Sequence, residues 1–277
     1  MNRTGIEWTD LTWNPITGCR KGCPYCYARR MAYRLRGRMG YPKYDPFQPL
    51  LHTDRLDEPL EIRKPKLIFP VSMGDIFGEG VPEEWIFAVF DRMRKAKQHL
   101  FQVLTKCPEN IPRDLEIPDN VWMGVSVESG WTMPRFALLM DRAVVGGWKG
   151  RTFISVEPLH GGVYEDYEEG YYDPGHRLRR APPWVIIGAE TGNRADKIIP
   201  TEKALLEWVY WAGLNNARVF FKNSLRPLVE SMGQIDNPSS PVRWRTEMPE
   251  AMEAYRGRPE TRGTPDDVIH TLRRFTV

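Results

Sequence analysis

A run of seven almost entirely apolar residues, Val121-Trp122-Met123-Gly124-Val125-Ser126-Val127, is followed at once by the acidic residue Glu128. A short run without polar alternation is typical of a strand that is covered on both faces. Strands of this kind belong to parallel sheets, in which helices cover both faces. The run therefore predicts a central strand of an α/β fold, with a polar residue at the carboxyl end of the strand.

Further apolar runs of the same kind are spread along the chain, and polar residues follow each of them. They lie at 67–71, 100–104, 152–156, 184–189 and 218–221, and another candidate strand lies near 6–13. Amphipathic helical patterns occupy 82–97, 134–145 and 201–213 between them. This alternation predicts βαβ units that form a full or partial (β/α) TIM-like barrel with parallel strands. A flat, doubly wound sheet is the alternative.

Length and composition fit one large domain with appendages. The chain has 277 residues, of which 41% are hydrophobic and 27% charged, and a net charge of only +3, which excludes a histone-like polycation. Residues 1–234 are predicted to form the barrel-like core, with an insert or lid at about 160–183, and 235–277 a C-terminal extension. No apolar run approaches the roughly 18 residues that span a bilayer. Residues 1–8 also lack the apolar core of a signal peptide, so we expect a cytoplasmic protein that has no membrane partner.

Three of the four cysteines are clustered. Cys19, Cys23 and Cys26 have the spacing C-x3-C-x2-C. Thiolates on one short loop suit a [4Fe–4S] cluster, which normally has four such ligands, so three would leave one iron open for a small molecule. A structural zinc ion is the alternative, but such sites usually combine two separated pairs of ligands, and Cys107 or a histidine would have to complete it. Unliganded thiols are the third interpretation.

The cysteine spacing, with Tyr25 before the last cysteine, resembles the signature of the radical S-adenosylmethionine (SAM) superfamily. The resemblance implies that the open iron binds the amino and carboxylate groups of SAM. It also implies that the reduced cluster cleaves SAM to methionine and a 5′-deoxyadenosyl radical, which abstracts hydrogen from the substrate, and that an external donor supplies the electron. The superfamily fold is a full or partial (β/α) barrel with the cysteine loop after the first strand, and here the loop follows the candidate strand 6–13.

A narrower resemblance covers most of the chain. The strings at 6–10, 12–15, 104–106, 124–128, 155–159 and 188–192 are similar to a phage- and prophage-associated radical-SAM-like family whose substrates are mostly unassigned. Some phage radical SAM proteins are implied in thymidine hypermodification, where they isomerise an amino-acid adduct on the base. The resemblance therefore implies an isomerase that rearranges a modified base in phage DNA, in the cytoplasm of the bacterial host.

Polar residues at the ends of the apolar runs are candidate site residues, because active sites of (β/α) barrels lie at the carboxyl ends of the strands. The resemblance implies that SAM is bound by Tyr25, Ser72, Asp75, Ser126, Glu128, Glu157 and Glu190. Ser72 or Asp75 would replace the family's Gly-Gly-Glu string, while Glu157 and Glu190 would bind ribose hydroxyls or a substrate amine. Lys106 and Lys222 would bind a carboxylate or phosphate as point charges.

Two alternatives apply to these polar residues. The first is that each residue merely caps a helix or faces solvent. A pair of the glutamates would also fit the acid and the nucleophile of a glycosidase, but that hypothesis leaves the cysteine motif unexplained.

A basic segment follows the first cysteine. Tyrosines are interleaved with its eight basic residues, and the segment contains no acidic residue; the basic residues are Arg20, Lys21, Arg29, Arg30, Arg34, Arg36, Arg38 and Lys43. Basic side chains neutralise phosphates and aromatic rings stack on bases. The segment therefore predicts a nucleic-acid or nucleotide substrate that contacts Arg29, Arg30 and Arg34, and a base in duplex DNA would have to be flipped out.

Other interpretations of the basic segment stay open. A solvated basic helix is one, and a peptide or a small metabolite would be another class of substrate. The alternative function is a zinc-stabilised nucleic-acid-binding protein without radical chemistry.

Overall fold

A computed structural model of the chain describes residues 1–164, 182–233 and 244–256. Its strands are β1 (Asn2–Arg3), β2 (Leu11–Trp13), β3 (Ile16–Thr17), β4 (Leu50–Leu51), β5 (Leu67–Pro70), β6 (Leu100–Thr105), β7 (Val121–Val127), β8 (Thr152–Val156), β9 (Trp184–Ile187) and β10 (Arg218–Phe221). Its α-helices are α1 (Tyr27–Leu35), α2 (Glu58–Glu61), α3 (Glu83–Lys95), α4 (Pro134–Val145), α5 (Glu202–Leu214), α6 (Arg226–Ser231) and α7 (Glu250–Arg256).

The fold is α/β with a mostly parallel sheet. Eight strands form this sheet in the order β1-β2-β5-β6-β7-β8-β9-β10, while β3 and β4 pair separately. β2 with β5, β5 with β6, β8 with β9 and β9 with β10 are parallel, whereas β1 joins β2 antiparallel. The α/β class is thus confirmed. Closure into a barrel stays a prediction.

The apolar runs and helical patterns are confirmed almost residue for residue, except at the first strand. Of the candidate strand 6–13, only Leu11–Trp13 is extended. Residues before it turn, with Thr9 N donating to Ile6 O at 3.4 Å, and the Asp10 carboxylate accepts from Leu67 N at 2.9 Å. Asp10 thus satisfies a backbone donor at the start of β5 where a longer strand would have done so.

The chain divides into two compact units. The first unit comprises Met1–Met123 with Glu250–Val277 and contains β1 to β6, α1 to α3 and α7. Its core includes Trp13, Ile68 and Phe101, which are fully buried. α7 belongs to this core, because Met252 is fully buried and its sulfur accepts from Gln102 Nε2 at 3.4 Å.

The second unit comprises Gly124–Pro249 and contains β8 to β10 with α4 to α6. Phe153 and Trp184 are fully buried, with ring centroids 5.5 Å apart. The described start of the predicted C-terminal extension pairs with β10, since Phe221 N donates to Arg245 O at 2.7 Å. Most of the predicted insert and the rest of the extension lie outside the described residues. Within the described ranges, no helix has the length and apolar character needed to cross a membrane.

Candidate functional site

The cysteine loop begins at a backbone position that only glycine tolerates. Gly18 follows β3 with φ +91°, in the left-handed region. Its N donates to Met73 O at 2.9 Å, and Cys19 N donates to Phe47 O at 3.0 Å. A Cβ at Gly18 would lie 2.0 Å from Gln48 O. The start of the loop is therefore held between two neighbouring segments of the first unit, at a distance that excludes any side chain.

The thiols of the loop are partly buried and accept hydrogen bonds from the backbone. Cys19 Sγ accepts from Lys21 N, and Cys26 Sγ accepts from Arg29 N as the N-cap of α1, both at 3.3 Å. The pKa of the Cys19 thiol is raised to about 11, mainly by burial. The hydrogen bond from Lys21 N lowers this pKa, while the charges of Asp75, Cys23 and Cys26 raise it. A nearby cation, such as a bound metal ion, would lower this pKa and favour the thiolate.

These residues fit an iron–sulfur cluster by their donor chemistry. All three are free thiols on one loop, and backbone N–H groups donate to two of the sulfurs. Within 1–164, 182–233 and 244–256, no three His, Cys, Asp or Glu side chains are arranged to hold a metal ion. Zinc ions and iron–sulfur clusters both take thiolate ligands, so the donor chemistry of the three thiols suits either.

The aromatic residue of the motif contacts a lysine from the end of β6. Lys106 Nζ donates to the Tyr25 hydroxyl at 3.0 Å and lies 5.2 Å from the centroid of the Tyr25 ring. A cation near an aromatic face is attracted by the ring quadrupole. Lys106 was predicted to bind a substrate anion. In the structure its ammonium group contacts the side chain of Tyr25.

Asp75 fixes the backbone of Lys106. The Asp75 carboxylate is buried: Oδ1 accepts from Thr105 Oγ1 at 2.6 Å and Phe77 N at 3.1 Å, and Oδ2 accepts from Lys106 N at 2.8 Å. Burial raises the pKa of this carboxyl, and the three donors oppose that rise. Both oxygens are thus occupied by the protein itself, as expected of a residue that organises the strand ends.

Ser72 contacts a residue that sequence reasoning missed. Ser72 Oγ donates to Asn14 Oδ1 at 3.2 Å, and Met73 N donates to the same oxygen at 2.9 Å. Asn14 directly follows β2, so its position at a strand end was the available signal. Asn14 therefore holds the segment before Asp75 against the end of β2.

In the second unit, each of the three strand-end glutamates has a basic partner. Glu128 pairs with Arg135 at 2.8 Å, and Arg135 Nη1 also donates to Ser126 O at 2.9 Å. Glu190 accepts two hydrogen bonds of 2.8 Å from Arg194, which lowers the pKa of the Glu190 carboxyl. Arg135 and Arg194 were not identified from sequence, although both follow their glutamates within seven positions.

The third glutamate pairs with a predicted site residue. Lys222 Nζ donates to Glu157 Oε1 at 2.5 Å, and Ser155 Oγ donates to Glu157 Oε2 at 3.0 Å. A Cβ at Gly188 would lie 2.9 Å from Glu157 Oε1 and 3.1 Å from Lys222 Cδ. The absence of a side chain at Gly188 therefore leaves room for this ion pair at the ends of β8, β9 and β10. Glu157 and Lys222, predicted separately for SAM and for an anion, act as one pair here.

The basic segment lies on the surface of the first unit. All eight of its basic residues are exposed, and so are Tyr27, Tyr33 and Tyr44 at 56%, 50% and 93%. Arg20 pairs with Asp45 at 2.6 Å. In the described chain no ion pair involves the other basic residues on and after α1, namely Arg29, Arg30, Arg34, Arg36, Arg38 and Lys43. We call Tyr27, Arg29, Arg30, Tyr33 and Arg34 of α1, together with the exposed Tyr44 nine residues after the helix, the basic tyrosine face.

Fold and site together define an α/β protein with a three-cysteine loop and polar residues at the strand ends. The chain belongs to the family described as a protein of unknown function, DUF5131, whose profile matches residues 3–209. That range contains the cysteine loop, the basic tyrosine face and all the predicted site residues except Lys222. Comparison with curated proteins and comparison with solved structures each give no match.

Proposed function

We propose that this chain is a radical SAM enzyme whose [4Fe–4S] cluster is held by Cys19, Cys23 and Cys26. The observation that carries the proposal is the anchored cysteine loop, with Tyr25 directly before its last thiol. When bound, such a cluster supplies the electron that cleaves SAM, and the resulting 5′-deoxyadenosyl radical takes hydrogen from the substrate. The parallel sheet then corresponds to a full or partial (β/α) barrel of the radical SAM type.

The residues around the loop prepare it for this role. Gly18 and the hydrogen bond from Cys19 N to Phe47 O hold the loop backbone before any cofactor binds. The N–H groups of Lys21 and Arg29 point at the Cys19 and Cys26 sulfurs, where they stabilise thiolate charge. Lys106 orients the Tyr25 ring beside the loop.

The strand-end residues of the second unit are proposed to contact SAM or the substrate. Ser126, Glu128, Glu157 and Glu190 offer acceptors suited to ribose hydroxyls or an amine, and Lys222 offers a cation for an anionic group. The glutamates pair with basic side chains, so each pair presents both donors and acceptors. Within the first unit, Ser72 contacts Asn14 and Asp75 fixes the backbone of Lys106.

We further propose that the substrate is a nucleic acid, with a modified base that undergoes rearrangement. The best candidate is a thymidine adduct in phage DNA, acted on in the cytoplasm of the host. Arg29 and Arg30 follow Cys26 by three and four residues and are exposed, so a bound phosphate backbone would lie near the cysteine loop. An external electron donor is required for turnover.

SAM cleavage in the reconstituted protein tests the proposal. The full chain is purified without oxygen, loaded with iron and sulfide, and mixed with SAM and dithionite. We expect about four irons per chain, the content of one [4Fe–4S] cluster, and formation of 5′-deoxyadenosine detected by mass spectrometry. Cys23→Ala is expected to lose both the iron and the product.

Cys107→Ala is the matched control, because Cys107 is a buried thiol outside the loop. It is expected to keep its iron and to cleave SAM at the wild-type rate. One zinc per chain with intact SAM would contradict the proposal and favour the zinc-stabilised binding protein.

A further inference from the structure

We infer that the basic tyrosine face binds a single strand of nucleic acid, so that the strand meets the protein with its bases unpaired. What then happens to a base rests on the proposed function. The binding itself requires neither the cluster nor SAM.

Residues on one side of α1 carry this inference. Arg29 and Tyr33 are four residues apart, as are Arg30 and Arg34, so each pair is adjacent on the helix surface. Ala28 and Ala32, on the other side, are buried. The exposed side of α1 is thus separate from its buried side, and the exposed side consists of guanidinium groups and tyrosine rings.

The charge pattern of this side is unfavourable for the helix alone. Like charges at Arg30 and Arg34 repel each other. α1 has no acidic residue in its first turn, where Arg29 and Arg30 lie close to the positive end of the helix dipole. The chain between Arg20 and Tyr44 contains no acidic residue that would compensate. A bound polyanion would relieve this repulsion, and a row of phosphates is the polyanion that several separate guanidinium groups match best.

The tyrosines distinguish a single strand from a duplex. Tyr33 and Tyr44 are 50% and 93% exposed. Exposed aromatic rings beside a basic groove stack on the faces of bases, and a duplex hides those faces inside its own stack. An arginine of α1 also contacts an aromatic ring here, since the Arg29 guanidinium lies over the Phe47 ring at 5.8 Å from its centroid. A surface for duplex DNA alone would need the arginines but not the exposed rings.

The test measures binding by the full chain as purified, without SAM. Fluorescence anisotropy compares labelled oligothymidylate and oligouridylate of about 15 nucleotides with a blunt duplex of equal length. We expect either single strand to bind at least about tenfold more tightly than the duplex. The single strand that binds more tightly shows whether the natural ligand is DNA or RNA.

Three double variants divide the contributions. Tyr33→Leu with Tyr44→Leu is expected to weaken single-strand binding about tenfold and to leave duplex binding unchanged. Arg30→Gln with Arg34→Gln is expected to weaken both and to reduce the salt slope for single strands by about 1.4. Lys97→Gln with Arg113→Gln, which changes two exposed basic residues outside the segment, is the control and should have no effect.

Two results would overturn the inference: duplex binding as tight as single-strand binding, or an unchanged affinity of the tyrosine variant for single strands. Its failure is distinguishable from failure of the proposed function. Single-strand binding without SAM cleavage would support the binding surface and contradict the proposed radical chemistry. SAM cleavage without single-strand binding would support the radical chemistry and contradict the binding surface.

Discussion

At the scale of single residues, the contact between Lys106 and Tyr25 joins the end of β6 to the cysteine loop. Lys106→Met removes the ammonium group but keeps most of the side-chain length, so we expect the fold to persist while the Tyr25 hydroxyl loses its donor. SAM cleavage should fall about tenfold, as expected from the loss of a hydrogen bond to a charged group. Hydrogen exchange of the amides at 19–26, measured without SAM, should become faster.

A double-mutant cycle with Tyr25→Phe controls this prediction. Tyr25→Phe removes only the hydroxyl, so its effect and that of Lys106→Met should not add if the contact is real. Lys106→Arg retains a donor and should restore much of the protection. Fully additive effects would contradict the role assigned to Lys106.

Asp75 is predicted to organise the strand ends through its three hydrogen bonds. Asp75→Asn replaces one acceptor oxygen by an NH₂ group that faces N–H or O–H donors. We expect the free energy of unfolding to fall by about 1–3 kcal/mol, the range for buried polar groups that lose their partner. Urea denaturation measures this change. Unchanged stability combined with weaker SAM binding would instead make Asp75 a cofactor ligand.

At the scale of structural elements, Gly18 allows the cysteine loop to pack closely against its neighbours. Gly22 provides a matched comparison. Both have positive φ, +91° and +77°, but only Gly18 is in close contact, since a Cβ at Gly22 would meet nothing nearer than 4.0 Å. Gly22→Ala should cost about 1–2 kcal/mol from backbone strain alone. Gly18→Ala should cost more and lose most of the bound iron, as measured by urea denaturation and metal analysis. Equal effects would contradict the argument from close approach.

The elements themselves were largely predictable from sequence, whereas the pairing of the site residues was not. β7 and α4 have their predicted bounds because continuous apolar runs and amphipathic spacing reflect local physics. The turn before β2 depends on Asp10 reaching Leu67, a contact between residues far apart in the chain. The pairs of Glu128 with Arg135 and of Glu157 with Lys222 likewise depend on tertiary structure and side-chain conformation.

Two buried histidines make the stability of the whole molecule depend on pH in mild acid. Burial lowers the pKa of His52 to about 4, helped by the charge of Arg55, and burial lowers the pKa of His99 to about 4. The unfolded chain binds these protons near pH 6.5. The folded state therefore binds fewer protons between about pH 6.5 and pH 4, and the stability present above this window is lost as the pH falls through it.

We accordingly expect the urea midpoint of unfolding to be lower at pH 5 than at pH 7. His52→Gln retains a polar group beside Thr17, which lies 2.8 Å from the histidine ring. This variant should reduce the dependence of the unfolding free energy on pH by up to about 1.4 kcal/mol per pH unit. A pH dependence identical to that of the wild type would show that His52 does not titrate in this window.

Electron paramagnetic resonance of the reduced protein, with and without SAM, tests the central claim most directly. The account predicts a signal from a reduced [4Fe–4S] cluster, which SAM alters because it binds the iron that the three cysteines leave open. Cys107→Ala should show the same change and Cys26→Ala should show no such cluster. A protein that contains zinc and gives no cluster signal, or a cluster signal that SAM leaves unaltered, would contradict the account.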